Sequence, residues 1–157
     1  CYHNLKQDHD YGSFGHAEVV SLKVPPSSFQ AFCEMYFNLF DANGNRPDQF
    51  GDRGGEYRNL VGNPGGSANV PLYKAMLEAA VATGDRLDLS KGKGSDGDSR
   101  ANVWVMDSTQ FPSYVAEPYH QFHDGFAPGE NYPNSYNGLA KAHLSAGLFV
   151  DSKCPSF

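Results

Sequence analysis

The chain has 157 residues, with 12 Lys and Arg against 18 Asp and Glu, and a formal charge of −6. That length predicts one domain with a real core, and the acidic balance, with its cations scattered, excludes a nucleic-acid binder that pairs a basic face with phosphates. No apolar run approaches the roughly 18 to 20 residues of a membrane span, so no membrane partner is expected, and no signal-peptide pattern opens the sequence.

Residues Cys1 to Phe14 are polar and aromatic without a period and read as a loop. From His16 to Val24 the pattern alternates, with Glu18, Val20, Leu22 and Val24 on one side. This predicts a strand in which Glu18 shares a face with three aliphatics, an expensive place for a charge unless it is paired or protonated. A frayed, wet strand end is the plain alternative. Pro25-Pro26 ends the strand, and Ser27 or Ser28 is placed to cap a helix running to about Phe40. Its residues Phe29, Phe32, Cys33, Tyr36, Phe37 and Phe40 form one apolar stripe, which makes it a core helix and makes Cys33 a buried packing residue.

A polar loop from Asp41 to Phe50 delivers the chain to Gly51-Asp-Arg-Gly-Gly-Glu-Tyr-Arg-Asn59. The adjacent Gly54 and Gly55 allow a tight turn and a close backbone approach. Glu56 to Val61 then reads as a short strand that fixes Tyr57 on a rigid element, or more plainly as a polar turn entering an edge strand. After a turn at Asn63-Pro64-Gly65-Gly66, Pro71 sits in the first turn of a second helix. That helix faces Leu72, Ala75, Met76, Ala79 and Ala80 to the core and ends near Gly84. Lys91 to Ser99 reads as a mobile surface loop whose Asp96-x-Asp98 pair is too sparse for a calcium loop. Ala101 to Asp107 alternates as a strand with Trp104 and Met106 on one face, and Ser113 to Glu117 suggests a short strand. The stretch Tyr119-His-Gln-Phe-His-Asp124 is rich in polar chemistry, and residues 125–157 read as an irregular tail with one amphipathic helix near Ser135 to Ala146.

Three of these segments, in order, resemble one family. Gly15-His-Ala-Glu-Val-Val20 is similar to the Gly-His-Ala-Glu strand of the A-type peptide methionine sulfoxide reductases. Asp52-Arg-Gly-Gly-Glu-Tyr-Arg58 resembles that family's Asp-x-Gly-Thr-Gln-Tyr-Arg, and Ala116-Glu-Pro-Tyr-His-Gln121 its Ala-Glu-x-x-His-Gln. The helix ending Phe37-Asn-Leu-Phe-Asp41 is similar to one that ends Phe-x-x-His-Asp. The resemblance covers roughly residues 15 to 123. It implies an α+β fold, a two-layer sandwich of a mixed sheet with helices packed on it (the ferredoxin-like reductase fold).

The implied reaction is reduction of methionine-S-sulfoxide in proteins and peptides, by a monomer with no bound cofactor and no metal, drawing on an external dithiol or thioredoxin-like reductant. Such chemistry needs a thiolate to attack sulfur while the sulfoxide oxygen is protonated or hydrogen-bonded. By the resemblance Glu18 is the acid and Tyr57 the phenol that holds the oxygen, while Asp52 and His120 line the same pocket. The family's nucleophile lies in Gly-Cys-Phe-Trp upstream of Gly-His-Ala-Glu, and no such motif occurs here. Trp104, the sole Trp, has a strand position and does not stand in for that motif. Cys1 is similar to a second upstream Cys of the family, and Cys154 is a possible resolving Cys. Gly55 replaces Thr, Glu56 replaces Gln, and His123 stands where many relatives carry Tyr.

The chain starts at Cys1 without an initiator Met. The expectation is therefore one reductase-like domain over 1–157, incomplete at its N-terminus and inactive alone for want of the nucleophile. Two alternatives stand beside it. One is a non-enzymatic relative whose pocket binds methionine sulfoxide or another small polar group. The other is a metal site of His120, His123 and Asp124, with His16 as an optional fourth group, although a loose His-x-x-His pair is more often structural. Three cysteines leave the compartment open.

Overall fold

A computed structural model describes residues 15–47, 51–116 and 139–150. The chain divides into a unit spanning His9–Ser113 and a second made of Cys1–Asp8 with Tyr114–Phe157. In the larger unit, helix α1 (Phe29–Phe37) follows a 3-10 turn at Pro26–Ser28. Strand β1 (Leu60–Asn63) leads through a 3-10 turn at Gly66–Ala68 into helix α2 (Val70–Ala82). Strands β2 (Asp88–Lys91) and β3 (Asn102–Asp107) complete it.

The strands form one parallel sheet in the order β1-β3-β2. Leu60 lies opposite Trp104 and Asp88 opposite Asn102. Parallel neighbours need a long connection, which α2 provides between β1 and the other two strands. The expected combination of helices with a sheet is present, but the described sheet is parallel throughout rather than mixed.

The periodicity of α1 and α2 explains how they pack. Phe29, Cys33 and Phe37 from the first, with Phe40 just after it, meet Met76, Ala79 and Ala80 from the second over Val61, Leu87, Val103 and Val105. Phe37, Met76 and Val103 are wholly excluded from water, and each such burial stabilises by roughly 1.5–3 kcal/mol. The expected helix stripes are therefore the core. Asn69 caps α2 by accepting from the Leu72 N–H, and Pro71 occupies its first turn, where no intrahelical donor is needed.

Trp104 and Met106 share the opposite face of β3, as their alternation predicts. That face is covered by the loop at 92–99. The Trp104 Nε1–H donates to the Gly97 carbonyl at 2.9 Å, and a Cβ on Gly92 would lie 1.9 Å from the Met106 sulfur. The loop lies at the surface, as expected, and is pinned at Gly92 and Asp96. Asp96 is buried within it, accepting from the Lys93 and Gly94 N–H groups.

The turn after β1 is tied to the end of β3. Asp107 accepts from the Gly65 and Thr109 N–H groups and from the side chains of Thr109 and Gln110. These bonds, led by the Thr109 hydroxyl, hold its carboxyl down at about 2.

Four local expectations are corrected. His16 to Val24 has an alternating pattern but is not a strand; Val20 is 81% exposed and Leu22 56%. Alternation makes a segment suitable for pairing, but no described strand lies beside it. Tyr57 lies in a 3-10 turn at Gly55–Tyr57, with the strand starting only at Leu60. Strand β2 falls between the expected helix end near Gly84 and the loop expected from Lys91, where no element was expected. It is short, polar and at the sheet edge, so it carries no apolar alternation. Residues 113–116 are not strand.

In the smaller unit helix α3 (Leu139–Ser145) lies within the predicted Ser135–Ala146 segment. No described helix is long and apolar enough to cross a membrane.

Candidate functional site

The Gly51–Asn59 stretch turns where the sequence places its glycines. Gly54 has φ +110°, a conformation that favours glycine. Its carbonyl accepts from the Tyr57 N–H at 3.0 Å and closes the 3-10 turn. The next residue, Arg58, points inward and is 5% exposed. Its Nη1 donates to the carbonyls of Gly55 (2.6 Å) and His16 (3.0 Å). Its Nη2 donates to those of Gly15 and Gly94, both at 2.9 Å. Burial pushes the guanidinium pKa down, and the nearby Asp96 carboxylate opposes that. Arg58 thereby fastens three segments far apart in sequence around the Tyr57 turn.

A second loop is brought to the same place. Asp41, after α1, accepts from the Asn43 and Asn45 N–H groups at 2.8 and 2.9 Å. These bonds, the one from Asn45 foremost, lower its pKa. The Ala101 N–H donates to the Gly44 carbonyl at 2.9 Å. Approach is so close that a Cβ on Gly44, itself at φ +73°, would stand 2.3 Å from that of Ala101. Residues 44–46 therefore lie against the segment entering β3.

Between these loops is a cavity of about 160 Å³. Asp52, Arg53, Tyr57 and Asn59 line it from the glycine-rich stretch. Gly44, Asn45 and Arg46 line it from the loop after α1, and Asp98 and Arg100 from the segment before β3. Asp98 also accepts the Gly54 N–H at 3.4 Å. Arg46 lies 5.7 Å from the centre of the Tyr36 ring, a cation–π contact that ties it to α1.

Two predicted site residues, Asp52 and Tyr57, thus share one concavity. Glu18 does not line it. Its backbone N–H donates to the Glu56 carbonyl at 2.9 Å, next to Tyr57, but its side chain is exposed. The aliphatic surroundings expected for Glu18 are corrected, because Val20 and Leu22 face water. His120, His123, Asp124, Cys1 and Cys154 lie outside the described residues. Cys33 is fully buried, and burial, with Glu34 adding to it, pushes its thiol up to about 12. At neutral pH it is a packing group and not a thiolate.

Nothing in the sequence pattern marks Arg46, Arg53 and Arg100 as neighbours, or gives Arg58 its role. The nearest hint for Arg58 is that a glycine-rich stretch carries many carbonyls, and one guanidinium can satisfy several. The Asp96-x-Asp98 pair was weighed only as a calcium loop. In the structure Asp96 holds its own loop and Asp98 reaches the cavity.

No family model, curated protein or solved structure matches this protein. The site therefore stands on its own geometry and on the sequence resemblance.

Proposed function

We propose that this protein is of the A-type methionine sulfoxide reductase kind, with that family's ferredoxin-like reductase fold, and that the cavity beside Tyr57 receives the sulfoxide of oxidised methionine. The observation that supports this reading is that Asp52 and Tyr57, both given to the substrate pocket by the motif resemblance, line one cavity. In the proposed reaction the Tyr57 phenol donates a hydrogen bond to the sulfoxide oxygen, and solvent supplies the proton, because Glu18, the acid that the resemblance implies, does not line the cavity. A thiolate attacks the electrophilic sulfur. Methionine departs as the oxygen passes to the thiol, leaving a sulfenic acid. A second thiol condenses with the sulfenic acid, releasing water and forming a disulfide, which a dithiol or thioredoxin-like reductant reduces. Two thiol hydrogens and the sulfoxide oxygen are accounted for in that water.

The attacking thiolate has no assigned residue in this sequence, and Cys33 is unsuited to the part. That observation favours a second reading, a pocket that binds methionine sulfoxide without reducing it. One experiment tests both. The 157-residue protein is titrated with methionine-S-sulfoxide while bound ligand is followed by NMR, and turnover is followed in dithiothreitol. Both readings expect saturable binding of the S-sulfoxide, weakened about three- to tenfold in Tyr57→Phe by loss of one hydrogen bond. We expect no turnover by this protein alone. Turnover abolished by Cys1→Ser or Cys154→Ser would make that cysteine the nucleophile and reject the binding-only reading. Equal binding of methionine and its S-sulfoxide would sink both.

A further inference from the structure

We propose that Arg46, Arg53 and Arg100 form a carboxylate-binding half of the cavity, so that the site selects an oxidised methionine whose own carboxylate is free, as in the free amino acid or as the last residue of a peptide. This deepens the sulfoxide reading and rests on it for the other half of the ligand.

Three guanidiniums line a cavity of about 160 Å³ in a protein whose net charge is −6. They come from two loops and the glycine-rich stretch, so it is the fold that gathers them. Asp52 and Asp98 line the cavity with them, and the Asp41 carboxylate acts on Arg100 from beside it. Among the described residues none of the three guanidiniums is in an ion pair. Asp98 is partly engaged by the Gly54 N–H. Arg46 is held over the Tyr36 ring, and its Nε is buried without a hydrogen-bond partner.

Planar guanidinium forks match a carboxylate in shape, and they remain charged at any physiological pH. In free methionine sulfoxide the short unbranched side chain separates the sulfoxide from the carboxylate. Tyr57 and the arginines share one lining, so a single small molecule can meet both. A residue inside a peptide offers a neutral amide where the carboxylate would sit.

Arg53 and Arg100 are exposed, so the selection is modest and salt-sensitive. One exposed ion pair changes affinity by up to about fivefold. Three guanidiniums, partly offset by nearby carboxylates, should favour acid over amide by about fivefold.

The test is calorimetric or NMR titration of the 157-residue protein with four probes: N-acetylmethionine S-sulfoxide, its methylamide, N-acetylnorleucine and its methylamide. The expected result is tighter binding of each acid than of its amide, with the preference shrinking as salt rises. In Arg53→Gln and Arg100→Gln, with folding checked by melting temperature, that preference should fall at least twofold while amide binding is kept. Equal binding of acid and amide would overturn the carboxylate site and leave the sulfoxide reading standing. Acids binding alike whether or not they carry the sulfoxide, with both amides silent, would uphold the arginine site and overturn the sulfoxide reading. Displacement by inorganic phosphate far below the concentration of acetate required would overturn the assignment to a carboxylate. Failure of all four probes to bind would overturn both.

Discussion

The Arg58 guanidinium donates to the Gly15 carbonyl at 2.9 Å across 43 residues of sequence. With its bonds to His16, Gly55 and Gly94, it is the fastening that sets the backbone around Tyr57.

Removing this fastening leaves four carbonyls without their donor. Hydrogen bonds from a charged group contribute roughly 1.5–3 kcal/mol each but are not additive. Arg58→Met should therefore destabilise the protein by about 3 kcal/mol or more in urea unfolding. Arg58→Lys has a single ammonium in place of the fork and should recover only part of that. A change below about 1 kcal/mol in both would show that water replaces the guanidinium without cost.

Cys33 yields a pH prediction. Its thiol is pushed from 9.0 up to about 12 by burial, then by Glu34. The folded state keeps the proton that the unfolded state loses. The contribution is thus fully present below pH 9 and declines as pH rises from there toward 12. Cys33→Ala should flatten the fall of melting temperature above pH 9, even as it lowers stability at neutral pH by leaving a small void. Native Cys33 should also resist thiol reagents until the protein unfolds. Prompt labelling of Cys33 under native conditions would contradict its burial.

Gly44 and Gly51 form a matched pair of tests. Gly44 has φ +73° and its missing Cβ would overlap that of Ala101, whereas a Cβ on Gly51 meets nothing within 4 Å. Gly44→Ala should cost about 1–3 kcal/mol by strain and overpacking. It should also weaken ligand binding by parting Asn45 and Arg46 from Arg100. Gly51→Ala should leave stability within about 0.5 kcal/mol. Equal effects from both, in melting and in ligand titration, would mean that the approach of the loop after α1 to Ala101 does not shape the cavity.

What the sequence by itself determined was what repeats locally. The stripe of Phe29, Cys33, Phe37 and Phe40 and the Met76 and Ala79 face of α2 are periodic signals of burial, and each is found in the core; the alternation of Ala101 to Asp107 marked a strand, and the structure shows which of its faces meets the helices. Gly54 could be read as a turn because its freedom of φ is intrinsic to the residue. Pairing across distance was decided only in three dimensions. Val20 and Leu22 alternate as a strand would, yet no described strand lies beside them. Asp88–Lys91 has no such pattern, yet backbone pairing with β3 makes it a strand. Tyr57 and Asp52 are close in sequence, so their shared cavity was within reach of a motif. Arg46 and Arg100 join them only because the Gly44 carbonyl meets the Ala101 N–H. Backbone hydrogen bonds carry no side-chain signature, and for that reason the charged half of the cavity came from the tertiary structure alone.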